Sequence, residues 1–414
     1  MYGQLQDELG PLPFTDKDYF VFTDAAALVR RGLSPYTQPS YRYPPLVALM
    51  LAPLPFHAGK LAFLTCDLAC GFLQLRLLQY TRHKFCPSCS RRAAEARSQD
   101  LHLGQQSCSQ RNEPSPLSSS SYSIKLAVSL WLLNPLAAIV SARGNFDSLQ
   151  GTFVLFALLS LEHSKRNRSC ALALASGFSL GIAGHLRLYP CAFGLPLLLA
   201  FATTPRRLLD RSALCFLFGA LLTFGGLAAM SFANYGNEYI EKSLIHHLRR
   251  VDTKHNFSPF FYPQYLQAAV PSCAPTWMLS FSSLLKWILI VLLGAAFGRH
   301  DPSFACLMQS LAFVAFNTHF TAQYFVWFLV FAPAVLGQPE WHDGATQRTL
   351  ALPAAAWVMS MLLWLLQAYR LDEIGESVHL GVWAASECML LSSAALIGTL
   401  AWNWHRKVYP KFAT

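Results

Sequence analysis

The feature that most limits what this chain can fold into is a set of apolar runs long enough to cross a bilayer. "LAFLTCDLACGFLQLRLLQY" from Leu61, "ALCFLFGALLTFGGLAAMSF" from Ala213, "LLKWILIVLLGAAF" from Leu284 and "AASECMLLSSAALIGTLAW" from Ala384 stand out. A hydrocarbon core of ~30 Å needs roughly 20 apolar residues per helix. A transmembrane barrel would instead alternate apolar and polar residues over segments of about ten, so helices are expected here. Of the 414 residues, 53% are hydrophobic and 13% charged, too apolar for a soluble domain of ordinary composition. Candidate spans fall at 58–79, 125–141, 146–162, 169–187, 189–202, 212–233, 277–297, 303–318, 322–338, 350–368 and 381–403. The expectation is an all-α, polytopic membrane protein with about 11 transmembrane segments.

The charge balance points the same way. A net charge of +10 could suit nucleic acid, but the basic residues sit in short gaps between apolar runs rather than on one folded face. Arg82, Lys84, Arg91, Arg92, Arg97 and Arg111 share one side with Lys165, Arg166, Arg168, Arg206, Arg207, Arg211, Arg406, Lys407 and Lys411. By the positive-inside rule that side is cytosolic, and the acid-rich start of the chain lies on the other, in a lumen or periplasm. No nucleic-acid partner is expected. The 11 cysteines are scattered, several within apolar runs where a thiol acts as a small hydrophobe, so no disulfide framework follows. "MYGQLQDELGPLPF" lacks the basic start and apolar stretch of a cleavable signal peptide.

These features divide the chain into four regions. Residues 1–57 form an acid-bearing loop with interfacial helices, 58–81 a transmembrane helix, 82–124 a polar serine-rich cytosolic loop, and 125–414 a multipass region with a lumenal loop at 234–276. The 82–124 loop contains Cys86-Pro-Ser-Cys89, with His83, His102 and Cys108 nearby. A second pair at zinc-finger spacing is missing, so no metal is expected there.

Most of the unusual polar clusters fall on the non-cytosolic side. "FTDKDYFVFTDAA" sets Asp16, Asp18 and Asp24 close together before the aromatic residues of a membrane interface. Two carboxylates one residue apart can bind a divalent cation, or one can serve as a general base whose pKa its neighbour shapes; a solvated loop or helix cap is the plainer alternative. "RYPP" at Arg42, "ARGNFDS" at Arg143, "GHLRLYP" at His185, "LIHHLRRVDTKHNFSPFFY" and "FNTHFTAQYF" add Arg42, Arg143, Asn145, Asp147, His185, Arg187, Arg249, Arg250, His255, Asn256 and Gln323. Arginines grip phosphate bidentately, although each alone could snorkel or form a structural ion pair. Together with the acids they suit a phosphate-bearing lipid. A transporter would place its charges at mid-bilayer depth; here the acids are mostly peripheral, although Asp67 and Glu387 lie within apolar runs.

"FTDKDYFVFTDAAALVRRGLSPY", "YRYPPL", "WLLNPLAAIVSARGNFDS", "GHLRLYP", "RRVDTKHNFSPFFYPQYL" and "FNTHFTAQYFVWFLVFAP" resemble, in order and over nearly the whole chain, the GPI mannosyltransferase 1 (PIG-M) family of the glycosyltransferase C superfamily. The resemblance implies transfer of the first mannose from dolichyl phosphate mannose to GlcN-(acyl)phosphatidylinositol, through an α-1,4 bond, in the endoplasmic reticulum membrane with a lumenal site. The family's DxD motif falls on Asp16 and Asp18, which become the expected catalytic pair, with a divalent cation as an uncertain cofactor. The other named residues become expected substrate contacts, and a small accessory membrane subunit an expected partner. Two departures stand out. The family's transmembrane helix ahead of the DxD loop is missing from this sequence, so we expect a gene model that starts late, or else a loop anchored only from its C-terminal side. The 82–124 loop is also longer than the family's usual connection. A multipass lipid or solute transporter, another dolichol-phosphate-sugar-dependent transferase, or a noncatalytic subunit are the rival readings.

Overall fold

The structure is a computed structural model that describes residues 6–7, 14–81, 128–202, 210–249, 256–270 and 277–409. The serine-rich segment at 82–124, with Cys86 and Cys89, lies outside the described residues, as do Arg250 and His255. Among the described residues the regular elements are helical.

Helix boundaries follow from capping chemistry. The Asp16 carboxylate accepts from the Asp18 N–H and starts α1 (Lys17–Arg30), with Asp18 in the first turn and Arg30 in the last, each complementing the helix dipole. Pro45 opens α2 (Pro45–Leu51), where its missing N–H costs nothing. The long α3 (Phe56–Thr81) follows. Asn134 caps α4 (Pro135–Ala142). Between α5 (Asp147–Asn167) and α6 (Cys170–Leu186), Arg168 adopts a left-handed φ of 51° and the Ser169 side chain caps the next helix. A short 3₁₀ turn, Tyr189–Phe193, leads into α7 (Gly194–Phe201). Asp210 caps α8 (Arg211–Tyr235), and α9 (Phe261–Ala269) and α10 (Trp277–Phe297) come next. Asp301 caps α11 (Pro302–Ala315), Asp343 caps α12 (Gly344–Asp372), and α13 (His379–Val408) is the last.

By length and composition, four of the described helices can cross a membrane: Phe56–Tyr80, Arg211–Tyr235, Gly344–Asp372 and His379–Val408. The stretches Cys170–Leu186, Tyr189–Phe201, Phe281–Phe297, Pro302–Ala315 and Ala322–Leu336 are shorter apolar helices. Two runs read as continuous spans are interrupted. Helix stops at Leu132 and restarts at Pro135, because proline lacks the N–H that would continue the ladder. Residues 322–338 hold three short pieces, Ala322–Phe325, Val326–Leu329 and Ala332–Leu336, the last with proline in its first turn.

α8 and α12 turn most of their side chains outward, with Leu221 70% and Leu352 77% exposed, faces that acyl chains would cover in a bilayer. α6 and α8 pack with their backbones nearly touching. A Cβ at Gly177 would collide with the Phe216 carbonyl, and one at Gly219 with that of Leu174, the small-residue packing that membrane helices favour.

Two cores organise the molecule. The larger runs through the helices and holds Leu158, Phe193, Phe304, Phe331 and Trp364. The smaller joins Tyr19, Phe22, Tyr36, Tyr41 and Val47 to Phe63 of α3, Phe146 and Leu186. This second core fixes the acid-bearing α1 against one end of the bundle, where α4 ends, α5 begins and α6 ends.

Candidate active site

The site grows from the junction between α4 and α5. Gly144 has a φ of 102°, and a Cβ there would enter the Tyr19 ring, so only glycine lets α1 sit this close. The Asp16 N–H then donates to the Arg143 carbonyl at 2.9 Å, which fixes the DxD backbone to the bundle. The buried Tyr19 hydroxyl donates to the Phe56 carbonyl at the start of α3.

Asp16 and Asp18 are both half-buried. Asp16 Oδ1 accepts the Asp18 N–H at 3.0 Å, and its second oxygen has no protein hydrogen bond among the described residues. Asp18 Oδ2 accepts the Tyr43 hydroxyl at 2.7 Å. Burial, and then the Asp18 charge beside it, push the Asp16 carboxyl above its ordinary range; the Asp18 N–H and the charges of Arg143 and Arg187 pull the other way.

Behind this pair lies a buried ion pair. Arg187 Nε is 3.0 Å from Asp147 Oδ1, with 12% of the arginine side chain exposed and none of the aspartate's. The guanidinium lies over Phe146 at 4.7 Å and over Tyr43 and Trp327 at 5.7 Å each, so aromatic faces cover what the carboxylate does not. Asn145, fully buried, ties three segments together. Its Oδ1 accepts from the Asp147 N–H at 3.1 Å and from Arg187 Nη2 at 3.4 Å, and its Nδ2 donates to Gln323 Oε1 at 2.8 Å. Trp327 stacks between Tyr189 at 3.9 Å and Tyr324 at 4.1 Å, making an aromatic wall beside the ion pair.

Of the residues nominated from sequence, Asp16, Asp18, Arg143, Asn145, Asp147, Arg187 and Gln323 meet in this one constellation. Arg143 is half-buried and forms no ion pair among the described residues. Asp24 lies elsewhere on α1, exposed, and accepts from Gln38 Nε2 at 3.2 Å. Arg42 is half-buried; its Nη1 donates to the Tyr41 carbonyl, and its own carbonyl meets His247 Nε2 at 2.8 Å. His185 is buried between helices, 3.4 Å from the Ser231 hydroxyl and stacked on Tyr239. Arg249 ends a short helix, His246–Arg249, and its side chain is not among those described.

Asn256 anchors a separate clasp. Its Oδ1 accepts the N–H groups of Ser258 and Phe320, each at 3.1 Å, and its Nδ2 donates to the Thr318 carbonyl at 3.0 Å. Ser258 Oγ and Gln264 Nε2 donate to the same carbonyl, both at 2.9 Å. The "NFSP" and "FNTHF" stretches are thereby stitched together next to Gln323.

Sequence reasoning did not nominate Tyr43, Tyr189, Tyr324 or Trp327, although each lies within a stretch it quoted. Tyr43 and Tyr189 lie near an arginine in "YRYPP" and "LRLYP", but "AQYFVW" holds no charged residue, so no local signal marks all four. The Asp18 N–H and the Tyr43 hydroxyl each occupy one oxygen of the carboxylate pair, and among the described residues no group of three or more His, Cys, Asp or Glu could hold an ion.

Against known proteins, the family described as Mannosyltransferase (PIG-M) matches residues 140–400. The chain belongs to the PIG-M mannosyltransferase family. It is 34% identical to "GPI alpha-1,4-mannosyltransferase I, catalytic subunit" of Danio rerio, over 96% of this chain and 91% of that protein. It is 32% identical to "GPI mannosyltransferase 1" of Schizosaccharomyces pombe, over 92% of each, and 30% identical to "GPI mannosyltransferase 1" of Neurospora crassa, over 97% of this chain and 90% of the other. PIG-M membership and the apolar helices make this a multi-pass membrane glycosyltransferase. The match covers Arg143, Asn145, Asp147, Arg187 and Gln323, while Asp16 and Asp18 precede it.

Proposed function

We propose that this PIG-M mannosyltransferase transfers the first mannose of a GPI anchor from dolichyl phosphate mannose to the glucosamine 4-hydroxyl of GlcN-(acyl)phosphatidylinositol, forming an α-1,4 bond on the lumenal face of the endoplasmic reticulum membrane. The observation that carries the reading is the meeting of Asp16 and Asp18 with the Arg187–Asp147 pair, from segments far apart in sequence. The name of the Danio rerio relative supports the linkage and, by its words "catalytic subunit", the presence of a further subunit; we take that partner to be a small accessory membrane protein.

A β-linked donor and an α-linked product require inversion, hence one in-line displacement. Asp16 is the base: its second oxygen is open, and burial beside Asp18 raises its affinity for a proton, whereas Asp18 is held by Tyr43. Asp16 takes the proton of the 4-hydroxyl as that oxygen bonds to the anomeric carbon. The bond from that carbon to the phosphate oxygen breaks, and dolichyl phosphate leaves with the electron pair. Such general-base help is typically worth about 10²- to 10⁴-fold. Arg143 stabilises the developing phosphate charge, with Arg187 as a partly neutralised neighbour. Arg249 and Arg250 complete the set of candidate phosphate ligands.

The test uses microsomes lacking the native enzyme, supplied with this protein and labelled dolichyl phosphate mannose, and chromatography of the lipid products. A mannosylated GlcN-PI is expected from the wild-type protein. The Asp16→Asn, Asp18→Asn double variant, at equal expression, should yield none, and retained transfer would remove both acids from the chemistry.

A further inference from the structure

Lys286 lies within the apolar α10, yet only 7% of it is exposed. Its Nζ donates to Asn317 Oδ1 at 2.9 Å and lies 4.9 Å from the Phe313 ring and 5.7 Å from that of Trp287. No carboxylate among the described residues pairs with it. A neutral amide and two aromatic faces offset only part of the cost of holding an ammonium group away from water, and an ionisable residue at such depth is by default a functional one.

Its surroundings connect it to the site. Phe313 touches Trp327 at 5.7 Å and Tyr189 at 5.8 Å, and the other side of that aromatic wall faces Arg187. Asn317 passes the contact on, donating from Nδ2 to the His319 carbonyl, while Ser282 of α10 donates to the Phe316 carbonyl. On its outward side lies Trp287, 45% exposed, where lipid would be. Lys286 is thus a buried cation between the acyl phase and the reaction site, bonded to the same loop that carries Gln323.

We propose that Lys286 anchors the phosphate of the acceptor lipid, a site separate from the Arg143 and Arg187 cluster that faces the donor phosphate. The inference rests on the transfer reading above, in which both substrates are lipid-borne phosphates. The donor phosphate is bonded to the reacting carbon, whereas the acceptor phosphate lies a glucosamine and an inositol ring away. A reaction between them needs two separated cationic points, and the aromatic wall separates Lys286 from Arg187.

The experiment is steady-state kinetics on the full-length protein in native membranes, varying dolichyl phosphate mannose and GlcN-PI in turn. Lys286→Gln keeps a donor for Asn317 but removes the charge; Lys286→Arg keeps the charge. For Lys286→Gln the KM of GlcN-PI should rise roughly tenfold to a hundredfold, the loss of a charge-assisted hydrogen bond, with kcat and the donor KM within about twofold. Lys286→Arg should recover most of that loss. A rise for GlcN-PI supports the anchor, and a rise for dolichyl phosphate mannose instead would place Lys286 in the donor site and overturn it. A rise in both, in neither, or a fall in kcat alone overturns the inference and leaves a structural tie to Asn317. Should Lys286→Gln fail to fold, the wild-type protein supplies the second test. GlcN-PI is compared with its uncharged methyl phosphate ester as a competitor for the acceptor site. Weaker binding of the ester by about tenfold or more is expected, and a difference of less than twofold overturns the anchor. Absence of transfer by the wild-type protein would sink the transfer reading itself, a result distinct from normal transfer with an unaltered Lys286→Gln.

Discussion

Around Asp16, carboxylates and guanidinium groups from three chain segments face one another, while around Asn256 the amide, hydroxyl and carbonyl groups serve the backbone. Both regions contain polar stretches that carry the family resemblance. The difference teaches that a distinctive motif can be distinctive for two physical reasons. In the first region charge is concentrated where water is scarce, an arrangement that costs stability and makes chemistry available. In the second, two loops more than sixty residues apart are joined by satisfying buried N–H and C=O groups, an arrangement that contributes stability and places a neighbour.

Breaking the charged region should have the largest effect. Arg187→Met leaves the Asp147 carboxylate buried without its partner, an uncompensated charge that typically costs about 3–5 kcal/mol. Thermal unfolding in detergent should show the loss, and mannose transfer should disappear. The Asp147→Leu, Arg187→Met double variant sharpens the comparison, because replacing both members of a buried pair with apolar groups is often neutral for stability. It should regain most of the lost thermal resistance and still transfer no mannose. Transfer by the double variant would reduce the ion pair to scaffolding.

A smaller effect separates the two aspartates. If Asp16 is the base, it must be ionised, so kcat/KM rises with pH through an acid limb set by its pKa. That limb should lie above the ordinary value of 3.8, since burial and then the Asp18 charge raise it. In Asp18→Asn the like charge is gone while burial remains. The rate should fall, and the limb should move to lower pH, toward but not reaching the ordinary value. A limb that stays in place, or moves up, would exclude Asp16 as the titrating base.

How much of this was legible in the sequence depends on the range of the interaction that decides each point. Capping residues next to apolar runs, such as Asp16, Asp210 and Asp301, lie beside the turns they stabilise and mark them locally. The break after Asn134 is also local, but in an apolar run the proline was outweighed by hydropathy. Asp16, Asp18, Asn145, Asp147, Arg187 and Gln323 could be nominated because charged and amide residues are scarce at the ends of apolar helices. Tyr43, Trp327 and Lys286 could not. The chain has 15 tyrosines and 10 tryptophans, and nothing local distinguishes the ring that covers Arg187 from one that faces lipid. Asn256 shows another limit: its oxygen and nitrogen bond Ser258, Phe320 and Thr318, two of them partners that only the folded chain brings near, so its place in the clasp is not readable from its neighbours in sequence.

The smallest expected effect tests that clasp. The Thr318 carbonyl accepts from Asn256 Nδ2, Ser258 Oγ and Gln264 Nε2, so Ser258→Ala removes one donor of three and leaves the carbonyl satisfied. Because no buried group is orphaned, the loss should be that of one net hydrogen bond, about 0.5–1.5 kcal/mol, seen as a modest drop in the thermal midpoint. Mannose transfer per folded molecule should stay within about twofold, with both KM values unchanged, since Ser258 is fully buried and its hydroxyl donates to backbone. A selective rise in the acceptor KM at unchanged stability would mean that the clasp touches substrate, and the division drawn between the two regions would fail at the point where Gln323 joins them.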